Sequence, residues 1–216
     1  MSNKTIAIVG AGPGVSSGIA RKFGSNGFKV ILIARNEKSL AEQVRTLEAQ
    51  NIEVYGITAD AAAPASLQKA FDHLKRDYGI PDVLVYNAAV IKPGTASMLR
   101  EAELLEDLNV NVVGALSSAL QVIPDFVERK SGTILITGGG FALHPSYEMA
   151  SLSIGKAALR SLAYTLGDEL APFGIHVGTI TIAGTVAANT NFDPDRIAEA
   201  YWDMYEKRNE REFIYQ

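Results

Sequence analysis

A chain of 216 residues can bury one substantial core and is short for two domains. Its hydrophobic fraction of 47%, charged fraction of 20% and net charge of −4 are those of an ordinary globular protein, and without a Lys/Arg stripe they leave no footprint for nucleic acid. Cysteine is absent, which removes disulfides, thiolate catalysis and thiolate metal ligands and fits a reducing cytoplasm, the expected location.

His73, His144 and His176 are scattered without metal-ligand spacing, so no metal is expected. Met1-Ser2-Asn3-Lys4 leads into an apolar run of about five residues, too short for the core of a signal peptide. No apolar run approaches the roughly 20 residues of a membrane span.

Residues 5–9 (TIAIV) predict a buried strand, followed by a glycine-rich turn and a helix over 15–25. Residues 28–34 predict a second strand, and 37–50 a helix with Leu40, Val44 and Leu47 on one stripe. A third strand is expected at 52–57. The helix at 64–78 has Pro64 in its first turn and Leu67, Ala70, Phe71 and Leu74 at helical spacing. A fourth strand at 82–86 precedes a long helical region, 97–129, bent or broken near Pro124. Then come a fifth strand at 132–137, a helix at 147–170 and a sixth strand at 175–182. One more helix at 194–207 and a short edge strand at 212–215 end the chain.

The strands are continuously apolar rather than alternating, which indicates burial on both faces. Strand–helix alternation along the chain predicts an α/β fold: a single-domain Rossmann-type doubly wound parallel sheet of six to seven strands, with helices on both faces. No repeat or linker divides residues 1–216, read as one dinucleotide-binding domain. Within it, 183–209 is expected to form a substrate loop and capping helix. Its first part, 183–193, is small, polar and aperiodic, and follows a strand end where such folds bind ligands, so it is a candidate mobile loop.

Gly10-Ala11-Gly12-Pro13-Gly14 lies between the first strand and the helix beginning at Val15. Glycine lets the backbone approach a pyrophosphate, and the helix start supplies N–H groups and positive dipole. A tight turn without a ligand is the plain alternative. At the end of the second strand, an acidic residue would bind the ribose 2′-hydroxyl of NAD and an arginine the 2′-phosphate of NADP. The chain has Ala34-Arg35-Asn36 there, with no carboxylate until Glu37, so NADP(H) is favoured over NAD(H). Arg35 as a solvated surface charge is the alternative. Asp60, beside Ala61, either accepts from the adenine amino group or closes a turn before Pro64.

Together these residues resemble the short-chain dehydrogenase/reductase family over nearly the whole chain. Gly10-Ala11-Gly12-Pro13-Gly14-Val15-Ser16 is similar to that family's G-x-x-x-G-x-G, with Ser16 for the last glycine. Asn87-Ala88-Ala89 resembles its N-A-G motif, and Asn111-Val112-Val113-Gly114 the segment with its active-site asparagine. Lys156-Ala157-Ala158 resembles the lysine of Y-x-x-x-K, and residues 168–175 the helix-to-strand-six connection. Ala183-Gly184 stands where Pro-Gly is usual, with Val186 just beyond. The resemblance implies cofactor contacts from Gly10, Gly12, Pro13, Gly14, Val15, Arg35, Asp60, Ala61, Asn87, Ala88, Lys156, Gly184 and Val186.

For the reaction, the resemblance implies four groups. A tyrosine is the acid/base, and a lysine grips the nicotinamide ribose and lowers the tyrosine pKa. A serine orients the substrate oxygen, and an asparagine helps hold a relay water. Here the tyrosine position is Leu152 and the serine position Gly139, while Asn111 and Lys156 are retained. His144 and Tyr147 are candidate substitute acids, with a loop imidazole and a packing residue as the plain readings. Thr137 lies deeper in the strand by roughly 7 Å. Ser151 and Ser153 are turned from Leu152 by about 100°.

The usual tetrad mechanism is thus not open to this chain. A positioned acid/base contributes about 10²–10⁴ in rate, and cofactor proximity remains without it. Two readings stand: an NADP(H) oxidoreductase acting on a small carbonyl or alcohol compound with a displaced or substrate-supplied acid, or a non-catalytic cofactor-binding member acting as a sensor or structural partner. A small-molecule substrate or none is expected as partner, with no nucleic acid and no membrane. The resemblance also implies a homodimer or homotetramer through the helices at 97–129 and 147–170. Small residues such as Ala115, Ser118, Ala157 and Ser161 would allow close helix approach, or would simply suit packing on the sheet.

Overall fold

The apolar runs become seven parallel strands in the computed structural model, which describes residues 4–216. They are β1 (Thr5–Val9), β2 (Lys29–Ala34), β3 (Val54–Thr58), β4 (Val83–Tyr86), β5 (Gly132–Gly139), β6 (Ile175–Ile182) and β7 (Glu212–Tyr215). Their order is β3-β2-β1-β4-β5-β6-β7. The direction of winding reverses between β1 and β4, which pair from Ile6↔Val83 to Val9↔Tyr86. A crevice opens at the carboxyl ends of strands at such a switch point.

Strand period two sorts one apolar run onto two cores. Ala7 and Val9 join Ile31, Ile33, Phe71, Leu84 and Phe126 on one face. Ile6 and Ile8 join Val30, Leu32, Phe23, Val85 and Tyr201 on the other. That is why β1 has no polar alternation: both faces are covered, and Ile6, Ala7 and Ile8 have no exposed surface. The helices α1 (Val15–Ser25), α2 (Glu37–Glu48) and α7 (Pro194–Lys207) cover one face, and α3 (Pro64–Tyr78), α5 (Gly114–Glu128) and α6 (Ala150–Leu170) the other.

The long helical region differs from expectation. It consists of α4 (Glu101–Leu108), a π-helical turn at Asn109–Val113, and α5, so the interruption falls well before Pro124. Pro124 sits exposed inside α5, where the carbonyl it leaves without an N–H donor is beside solvent. The π turn widens the ladder instead, and the Tyr86 hydroxyl donates to the carbonyl of Val110. By length and composition the stretch Glu101–Glu128 could cross a membrane, but its side bearing Ala115, Ala119, Val122 and Phe126 is buried in the core.

Smaller boundaries also move, two of them near the site. β5 continues to Gly139, past the expected 137, because its pairing with β6 runs on to Gly139↔Ile182. α6 begins at Ala150 rather than 147; the preceding segment instead bridges Gly94 to Met149. The reading of residues 1–3 as a plain lead-in lies outside the described residues.

Candidate functional site

The chain leaves β1 through Gly10, whose φ of +85° is left-handed. A Cβ there would strike the backbone of Ala88. The two loops meet that closely because Asn87 ties them: its amide N–H bonds the Val9 carbonyl at 2.8 Å and its Nδ2 donates to the Gly10 carbonyl at 3.1 Å. Ser16 latches the turn, accepting the Gly12 N–H at 2.8 Å and donating to the Gly12 carbonyl at 3.0 Å. At the N-cap of α1 stands Gly14, with no side-chain cap and open space where a Cβ would be. Helix N–H groups and an uncluttered backbone therefore face the crevice. This cradle fits the pyrophosphate of a dinucleotide.

The rim residues are less uniform. Arg35 is exposed and has no carboxylate partner among the described residues, while its neighbour Asn36 caps α2 through the Ser39 N–H at 2.9 Å. Asp60 closes a turn: its Oδ1 accepts the Ala62 N–H at 2.9 Å, and its own N–H bonds Ser66 Oγ at 3.0 Å. Ala61 presents its carbonyl to Gly114, where a Cβ would collide with it. Pro13 and Val186 are exposed, and Gly184 lies under the Phe192 ring.

Residues 183–193, aperiodic in sequence, are laced by hydrogen bonds. Asp193 accepts the Asn189 N–H at 2.7 Å and the Asp195 N–H at 2.9 Å. Those two N–H groups hold its carboxyl below the usual range. Thr190 donates to the Ala187 carbonyl at 2.7 Å and Tyr215 to that of Asn191 at 2.8 Å. The helix of the segment, α7, packs on α1. Trp202 and Tyr205 meet the Phe23 ring at 5.1 and 5.5 Å, and Tyr201 is fully buried.

At the end of β5 the structure gathers Asn111, Thr137, Gly139, Leu152 and Lys156. The Lys156 side chain passes over Gly139, where a Cβ would lie 3.3 Å from its Cε. Its ammonium donates to the Thr137 carbonyl at 2.6 Å, and burial pushes its pKa down to about 8. Thr137 is a hub the sequence did not reveal. Its hydroxyl donates to Asn87 Oδ1 at 2.9 Å, so the Tyr201 hydroxyl, 2.7 Å away, donates to it. Nothing in the local pattern ties positions 137 and 201.

Leu152 is 5% exposed, one helical turn before Lys156 on α6. Asn111, in the π turn, accepts the Val90 N–H at 2.7 Å, and its buried Nδ2 has no partner among the described residues. His144 and Tyr147 make no hydrogen bond with Lys156. His144 is exposed, and Tyr147 is 76% exposed with its hydroxyl 3.3 Å from Glu148.

Buried Asp107 braces this corner, accepting from Ser151 Oγ at 2.5 Å and pairing with Lys92 at 2.9 Å. Gly155 permits the close approach of α6 to the π turn, since a Cβ there would lie 2.9 Å from that of Asn111. Gly155→Ala is expected to destabilise the fold by about 1–3 kcal/mol through this overpacking. Urea unfolding measures it; an unchanged midpoint would show that the turn has room.

The chain matches the model of the short chain dehydrogenase family over residues 4–196. It is 28% identical over 185 residues to 2,3-dihydro-2,3-dihydroxybenzoate dehydrogenase of Bacillus subtilis, covering 86% of this chain and 71% of that protein. It is 30% identical over 176 residues to an (S)-acetoin-forming diacetyl reductase of Staphylococcus epidermidis, covering 81% and 68% respectively. A metagenomic short-chain oxidoreductase solved with NADP shares the fold at a TM-score of 0.89 and 23% identity, over 99% of this chain and 97% of that one. A short-chain dehydrogenase of Sphingobium yanoikuyae solved with NADPH does so at 0.86 and 24%, over 98% and 87%. The switch-point crevice, the glycine cradle and the matched family model lead to one conclusion: the chain belongs to the short-chain dehydrogenase/reductase family of NAD(P)-dependent oxidoreductases.

Proposed function

We propose that this chain binds NADP(H) in the β1/β4 crevice and lacks the tyrosine–serine pair through which its family protonates a carbonyl oxygen. The observation that carries this is the Lys156 corner. Its ammonium bonds a backbone carbonyl, Leu152 occupies the helix position one turn earlier, and Gly139 lies beneath. When bound, the nicotinamide supplies a hydride. The chain's own residues divide the remaining work. The N–H groups around Gly12 to Val15 take the pyrophosphate, Arg35 the 2′-phosphate and Lys156 a ribose hydroxyl. Asn87 holds the glycine loop in register.

Among the described residues neither His144 nor Tyr147 hydrogen-bonds Lys156, so on this reading reduction of a small carbonyl compound relies on solvent or on the substrate's own acid. The outward turn of Tyr147 favours the second reading as well, a cofactor-binding sensor or structural partner with little turnover. Two solved relatives named above hold NADPH or NADP, which supports the cofactor assignment. Titrating NADPH and NADH by fluorescence tests it. Arg35→Ala is expected to weaken NADPH at least tenfold and leave NADH within about twofold, an exposed phosphate ion pair being worth about 1.4 kcal/mol or more when bidentate. Equal loss of both cofactors would remove Arg35 from the site.

We also infer self-association through α4, α5 and α6. Leu105 is 63% and Leu120 54% exposed there, beside Val113, Leu116 and Ile154, whereas the small residues Ala115, Ser118 and Ala163 are spent on the protein's own core. Leu116→Glu with Leu120→Glu should convert the assembly to monomer in light scattering. A wild-type monomer at micromolar concentration rejects the assembly.

A further inference from the structure

At the amino end of β6, far along the sheet from the nucleotide crevice, a cavity of about 420 Å³ opens beside the link between α7 and β7. Three features of its lining bear on what it could hold.

The first is a bare strand edge. β6 starts at Ile175, but β7 pairs with it only from Thr179↔Glu212 onward. The Thr179 N–H donates to the Arg211 carbonyl at 3.0 Å, so this amide faces the β7 side. In a parallel strand, alternate residues present their N–H groups to the same side. The Val177 N–H therefore faces the cavity, which Val177 lines, with no strand opposite.

The second is a pair of guanidiniums. Arg208 turns the chain after α7 at φ +49° and has no carboxylate partner among the described residues; its Nε reaches only the Tyr205 carbonyl, at 3.3 Å. Arg211 is held across α6 by the Tyr164 carbonyl at 3.1 Å and by Asp168 at 3.0 Å. It can lie there because position 167 is glycine, where a Cβ would strike its guanidinium.

The third is His176, whose Nε2 is buried without a partner among the described residues. Burial first, and then the charges of Arg208 and Arg211, push its pKa down to about 4. Glu210 also lines the cavity and Asp168 pairs with Arg211, yet neither carboxylate relieves the ring.

We infer that this cavity binds an oxyanion of the phosphate class, free phosphate or a small phosphomonoester, between Arg208, Arg211 and the Val177 amide. Planar guanidiniums and a free backbone N–H suit a tetrahedral dianion. Such an ion gives Arg208 its counter-charge and lets His176 take a proton and donate through Nε2. The site is separate from the crevice at the carboxyl ends of β1 and β4, so its occupant need not be the cofactor.

The test uses the wild-type chain with the imidazole resonances of His73, His144 and His176 followed by NMR. Inorganic phosphate and glycerol 2-phosphate are titrated separately, at fixed ionic strength, against chloride. A saturable shift of His176 alone is expected, with a millimolar or tighter Kd and a rise of its pKa by at least one unit. The tighter of the two ligands identifies the source. Arg208→Gln is expected to weaken binding at least tenfold, and Arg208→Lys less. NADPH should not compete. Shifts that grow linearly, are matched by chloride, or survive Arg208→Gln unchanged overturn the assignment; the wild-type titration decides even if a variant folds poorly.

Discussion

Leu152→Tyr combined with Gly139→Ser is expected to raise NADPH-dependent reduction of a carbonyl compound by about 10²–10⁴-fold over wild type. A phenol at 152 would stand one helical turn before Lys156, whose charge would favour its ionised form. The serine adds a donor to the reacting oxygen. It also acts on the lysine, because a Cβ at 139 would sit 3.3 Å from Lys156 Cε and crowd the chain that now reaches the Thr137 carbonyl. The two substitutions touch a shared partner, so their effects should exceed the sum of the singles. The measurement is NADPH consumption over a panel of aldehydes and ketones. A double variant that binds NADPH and turns over no faster than wild type would show that positions 139 and 152 do not limit the reaction.

Replacing Lys156 with methionine is expected to remove a large pH dependence of stability. Burial lowers this amine from its ordinary 10.5 to about 8. Below pH 8 the folded chain holds a charged amine in a dry site, a penalty of roughly 3 kcal/mol. Between pH 8 and 10.5 the unfolded chain binds the proton and the folded chain does not, so wild-type stability rises with pH across that window. Lys156→Met cancels the term. Urea unfolding of both proteins from pH 7 to 10.5 should show the wild type gaining roughly 3 kcal/mol on the variant. Parallel curves would mean that the amine is solvated. A lysine kept at such a cost has a task that methionine cannot perform, and gripping a cofactor hydroxyl is the task the crevice offers.

Periodicity carried the sheet. Alternate residues of β1 face different cores, and the unbroken apolar run from Thr5 to Val9 already implies cover on both sides. The glycine cradle was equally legible, because a strand, a glycine turn and a helix start are adjacent in the chain. What escaped reading depends on distant partners. The π turn at Asn109–Val113 is met by Tyr86, which reaches across from β4 to the Val110 carbonyl, whereas Pro124 is a conspicuous local signal on an outer face that tolerates it. Residues 183–193 lack periodicity because their order comes from hydrogen bonds to Asp193 and from Tyr215, with Phe192 packing on the core, rather than from a repeating face. Tyr201 reads as one more apolar helix position, and only the folded sheet brings its hydroxyl to Thr137. The seat of the Lys156 ammonium on the Thr137 carbonyl could not be read from spacing, since it depends on how α6 crosses the end of β5.

The most direct measurement is a single experiment on the wild-type chain. NADPH fluorescence is followed first through a binding titration and then, at saturation, after addition of carbonyl compounds. Saturable micromolar binding is predicted, followed by a cofactor signal that persists for many minutes. Failure of NADPH and NADH to bind, or oxidation as fast as in the tyrosine–serine variant, would contradict the account.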